Sequence, residues 1–91
     1  MMLFDHDIWE EYTGNNSSYQ KRIYRFYIRR LENLSNNKLE EEFQATKSFL
    51  VKNKIIKPRL LREAISELEE NGWPMLKMTA YLKVLSLEQR T

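Results

Sequence analysis

Cysteine is absent from this chain, which excludes a disulfide framework, a thiolate zinc site and a cysteine nucleophile together. That fits a reducing, cytoplasmic setting. Glycine and proline number only two each, Gly14 and Gly72, Pro58 and Pro74, so breaks are few and most of the chain must be regular structure. Two glycines so far apart cannot build a phosphate-cradling loop. The single histidine, His6, lies between Asp5 and Asp7, where a raised basicity or a helix cap is expected rather than catalysis, and no serine motif accompanies it. Asp5, His6 and Asp7 are a poor metal set, because adjacent residues do not converge on one ion as spaced ligands do. No apolar stretch approaches the ~20 residues of a membrane span. The start, MMLFDHDIWEEY, carries acids where a secretory signal carries bases. These absences predict a soluble, intracellular, non-enzymatic binding protein with no cofactor and no membrane partner.

What remains is a chain of 91 residues, 42% hydrophobic, enough for one core and not two, so residues 1–91 are read as a single helical domain. A domain of this size buries only roughly 60% of the surface its unfolded chain exposes. A homodimer is therefore a plausible source of added burial.

The periodicity is helical throughout. Phe4, Ile8 and Tyr12 fall four apart and Gly14 ends a short first helix, followed by the loop Gly14 to Ser18. Ser17 and Gln20 suggest a capping box opening a second helix that runs to Ser35. Ile23, Phe26, Tyr27, Arg30 and Leu34 mark one of its faces, and Tyr24, Ile28 and Leu31 widen it, which predicts a central position and a packing role for Tyr24, Phe26 and Tyr27. Asn37 and Glu40 suggest the third start. Leu39, Phe43, Thr46 and Leu50 give its apolar face, with Glu40, Glu41 and Glu42 in a first turn favoured by the helix dipole.

Residues 58–72 are the best punctuated element. Pro58 stands at a first helical position and Gly72 at a left-handed stop, with Leu68 and Trp73 at the two positions that touch in a Schellman ending. Leu61, Ala64, Ile65 and Leu68 form the apolar stripe, leaving Arg59, Arg62 and Ser66 outside. The last segment, MLKMTAYLKVLSL, fits both helical and strand periods; its Met, Leu, Lys and Ala content favours helix, and an isolated strand would have no partner. The expected fold is all-α, a compact bundle of about five short helices that could contain a helix-turn-helix, with residues 75–87 as the one segment open to strand.

The net charge of +2 is small, but its distribution is uneven. Residues 1–18 hold Asp5, Asp7, Glu10 and Glu11 and no base. Tyr12 to Leu31 holds Lys21, Arg22, Arg25, Arg29 and Arg30 and no acid, and Phe43 to Arg62 holds Lys47, Lys52, Lys54, Lys57, Arg59 and Arg62 and no acid. Brought together, such windows make a positive face for nucleic acid; alternatively they pair internally with the acidic N-terminus and with Glu40 to Glu42. Arg22, Arg25 and Arg29 share one side of their helix, near Tyr19 and Tyr24, supplying phosphate donors beside aromatic rings.

The stretch from Pro58 to Trp73, PRLLREAISELEENGW, resembles the recognition helix of winged helix-turn-helix regulators of the GntR type: a basic start, an Arg-Glu-Ala centre, then Leu-Glu-x-x-Gly. The resemblance implies DNA binding with the helix N-terminus in the major groove, through Lys57, Arg59, Arg62 and, by position, Ser66. It covers about a fifth of the chain, and no Gly, Asn or Asp follows Trp73 to turn a wing hairpin. The expected nucleic-acid-binding residues are Arg22, Arg25, Arg29, Lys54, Lys57, Arg59 and Arg62, with DNA ahead of RNA. The competing expectation is a small inhibitor or adaptor docking on a partner protein, with Trp9, Tyr12 and Trp73 as aromatic anchors.

Overall fold

The computed structural model describes residues 18–88, in which four helices follow one another without a strand. They are α1 (Ser18–Leu31), α2 (Asn36–Lys52), α3 (Pro58–Glu70) and α4 (Met75–Glu88). The expected first helix, with His6, Trp9 and Tyr12, lies outside the described residues. No described helix is long and apolar enough to cross a membrane.

α4 resolves the ambiguity of its sequence and explains it. Met78, Thr79, Ala80, Tyr81, Leu82 and Val84 are all buried, so nearly every face of the helix is covered. A helix enclosed on all sides has no polar stripe, which is why neither a helical nor a strand period stood out. α1 and α2 both pack closely on α4. The core joins Phe43 and Leu50 of α2, Leu61, Ala64 and Leu68 of α3, and Met78, Tyr81 and Leu82 of α4, with Trp73 closing it. Thr79 is fully buried without cost, because its hydroxyl donates to the Met75 carbonyl at 2.8 Å.

This arrangement corrects the reading of α1. It is not the central helix: among its residues 22–31, only Leu31 is fully buried, with Ile23, Tyr24, Tyr27 and Ile28 half-buried. Its inward stripe is Tyr24, Tyr27, Ile28 and Leu31, at i, i+3, i+4 and i+7, while Phe26 and Arg30 face water. The apolar residues of α1 outnumber what one side of α4 can cover, so one face wins and the other is left outside.

α2 starts earlier than its sequence suggested. Ser35 is the N-cap, its hydroxyl accepting from the Lys38 amide at 3.3 Å, and no Asn37–Glu40 capping box forms. Its first turn contains no acid, so Glu40, Glu41 and Glu42 sit too far along for the helix dipole to account for them. Glu42 instead reaches Lys83 of α4 at 3.1 Å, and the same ammonium stands 5.7 Å from the centre of the Tyr27 ring of α1. Lys83 thus ties three helices together at a half-buried position.

α3 ends as its sequence predicts. Asn71 is the C-cap, Gly72 takes φ +82°, the Gly72 amide donates to the Glu69 carbonyl at 3.0 Å and the Trp73 amide to the Leu68 carbonyl at 3.0 Å. Those two bonds define the Schellman ending, and buried Trp73 packs its ring 5.8 Å from that of Tyr81. Trp73 is thereby a core residue and not an exposed anchor.

Candidate functional site

The seven nominated cations all reach solvent: Arg22, Arg25 and Arg29 on α1, Lys54 and Lys57 in the α2–α3 connection, Arg59 and Arg62 on α3. Their local positions have different causes. In α1, Arg29 and Arg30 lie in the last turn, where the helix dipole favours positive charge. The dipole by itself favours them there, whatever else they do.

Lys54 has a similar account, since it directly follows the C-cap of α2, but the cations of α3 do not. α3 carries Lys57 as its N-cap and Arg59 and Arg62 in its opening turns, while Glu67, Glu69 and Glu70 close it; no acid stands in the first turn and no base in the last. Lys57 and Arg59 at the start and Glu69 and Glu70 at the end oppose the dipole, at a cost of roughly 0.3–1 kcal/mol for each, while Arg62 and Glu67 stand further in. The N-terminus also lacks a side-chain cap, since lysine offers no acceptor, and the Arg59 and Leu60 amides have no acceptor within the helix. Pro58 at the first position softens this by having no amide to satisfy.

Lys54 adds a backbone cost. Its φ of +58° lies in the left-handed region, where a residue with a Cβ is disfavoured by roughly 1–2 kcal/mol. The hydrogen bonds show why the chain goes there. The Lys54 amide donates to the Val51 carbonyl at 3.0 Å and the Ile55 amide to the Leu50 carbonyl at 2.9 Å, a second Schellman ending with lysine where α3 has glycine. Ile55, packed against the core, plays the part of Trp73. The sequence contained a partial signal for this, an Asn-x-Ile parallel to Asn-Gly-Trp, but without glycine it does not read as a stop.

Ion pairing leaves most of these cations uncommitted. Arg59 approaches Glu63 at 3.9 Å with both side chains largely exposed, an interaction contributing at most about 0.5 kcal/mol. Among the described residues, Arg25, Arg29, Lys54, Lys57 and Arg62 have no carboxylate within 4.0 Å. Glu42, a suggested internal partner for the basic windows, is engaged by Lys83, which belongs to neither window. Lys47 lies over the Phe43 ring at 4.8 Å.

The closest helix pairings are α2 with α4 and α1 with α4, and α1 with α3 is not among them. Along α3 an open groove is lined by Arg59, Arg62 and Ser66 and also by Glu63, Glu67 and Glu70, so its positive character is confined to its N-terminal half. Where a winged regulator turns its hairpin after the recognition helix, this chain continues into α4. No group of three His, Cys, Asp or Glu residues that could hold a metal occurs among the described residues. Comparisons with protein-family models, with curated proteins and with solved structures gave no match.

Proposed function

We propose that this chain is a non-enzymatic nucleic-acid-binding protein that uses a basic helical surface, with DNA as the first candidate ligand. One observation carries the reading. Between Lys54 and Arg62 the chain accepts a left-handed lysine, an uncapped helix start and cations against the helix dipole, all within nine consecutive residues. Each choice lowers stability, and each keeps positive charge exposed at one end of α3. Local costs that share a chemical result point to a ligand that repays them, and a phosphate backbone is the ligand that clustered lysine and arginine fit. An N-terminal turn bearing free amides and cations is also the part of a helix that best approaches phosphate oxygens.

The test is a gel-shift titration with generic duplex DNA at two salt concentrations. Binding should fall steeply with salt, and Arg59→Ala and Arg62→Ala should each reduce the log–log slope by about 1. Losses larger in Arg22→Ala and Arg25→Ala would move the contact surface to α1. Affinity for a protein ligand that is insensitive to salt, with no retention of DNA, would replace this reading with the docking one.

A further inference from the structure

Phe26 is 54% exposed, on the outward side of α1, in the middle of a cationic patch. Arg22 lies one turn before it and Arg29 and Arg30 one turn after, at i−4, i+3 and i+4, so all three side chains emerge beside the ring. The ring is also held: Tyr27, anchored on the inward-facing side, meets it edge-on with centroids 5.6 Å apart and planes at 69°. A water-facing phenyl ring supported by a neighbour and flanked by guanidinium groups is the arrangement expected of a stacking platform beside phosphate donors.

We infer that this face of α1 binds single-stranded nucleic acid, stacking an unpaired base on Phe26 while Arg29 and Arg30 hold the adjoining phosphates. The inference rests on the nucleic-acid reading above and names the form of the ligand at α1. The patch itself argues for that form. A duplex keeps the faces of its bases inside the stack, so it can satisfy the arginines and leaves the ring uncovered. A second copy of the chain packed across a two-fold axis through Phe26 would set arginine against arginine, like charges whose juxtaposition is destabilising. A single strand presents negative charge and open π-faces at the same spacing.

Fluorescence anisotropy with labelled oligothymidylate and with a duplex of equal length, at low and moderate salt, tests this on the full chain. Wild type should bind the single strand, and Phe26→Ala and Phe26→Leu should both weaken that binding by at least about 5-fold while leaving duplex binding within about 2-fold. Phe26→Trp should restore it and show quenching of the introduced indole on binding. Leucine separates stacking from simple apolar contact: if Phe26→Leu binds the single strand like wild type, the stacking assignment is wrong. Equal loss on single strand and duplex overturns it as well. Binding to vesicles containing phosphatidylserine that depends on Phe26, without binding to the single strand, assigns the patch to a membrane surface instead. Failure of wild type to bind either nucleic acid at low salt removes the broader reading and this one with it, whereas duplex binding that is indifferent to Phe26, with no single-strand binding, removes only this one. Circular dichroism melts of the variants, expected to match wild type because the ring is exposed, confirm that the fold is intact.

Discussion

The ends of α2 and α3 are the same device built from different residues. Each closes with asparagine at the C-cap whose side-chain amide donates back to a carbonyl four residues earlier, from Asn53 to Phe49 at 2.9 Å and from Asn71 to Glu67 at 2.8 Å. Each then enters the left-handed region for one residue and delivers an apolar side chain to the core. One uses glycine and tryptophan, the other lysine and isoleucine. The glycine end is the cheaper solution, and the lysine end keeps a charge at a backbone position that would be more stable without a side chain. Under the proposed function, that difference separates a stop serving the fold alone from one that would also serve the surface.

The largest contrast should come from the apolar residues. Trp73→Ala removes a buried ring and its contact with Tyr81, and is expected to cost about 3–5 kcal/mol, while Ile55→Ala, at a half-buried site, should cost about 2 kcal/mol. Urea denaturation of the two variants checks the order; a larger loss at Ile55 would show that the ends are not equivalent devices. Next is Gly72→Ala. A Cβ there meets nothing within 4 Å, so the whole penalty is backbone conformation, about 1 kcal/mol, seen as a lower Tm without a change in denaturant slope.

The opposite sign is expected at the other end: Lys54→Gly should raise stability by about 0.5–1 kcal/mol. The same variant should bind DNA more weakly and with a salt slope smaller by about 1. A gain in stability with unchanged binding would leave the strained lysine without a role in the proposed surface. The smallest effects belong to the caps. Asn53→Ala and Asn71→Ala each lose one exposed hydrogen bond and should lower stability by about 0.5 kcal/mol, equally at both ends in thermal melts.

How much of this was legible beforehand depends on whether a signal was local. The α3 helix could be placed nearly to the residue, because Pro58, Gly72 and the Leu61, Ala64, Leu68 stripe all act within one helix. The α2 stripe of Phe43, Thr46 and Leu50 was equally readable. Its N-cap was not: several Ser and Asn residues could each have served, and the capping box with Glu40 was the wrong choice among them. At α1 two apolar faces overlapped, and nothing within residues 18–31 decided which would face inward. The exposed position of Phe26 follows from that decision, so the patch around it could not be seen from spacing alone. The acid-free windows were visible as composition, and the strain at Lys54 was not, since it exists only once α2 ends there.

The amino-acid sequence by itself determined the helical class of the described residues, the boundaries of α3 and the clustering of positive charge, because propensity, punctuation and charge are properties of neighbouring residues. Tertiary structure decided that α4 is the buried element, that Phe26 points to water and that Lys54 is held left-handed. A core has limited area, and which of several competent apolar faces covers it is set by the other helices present and not by the helix that bears the face.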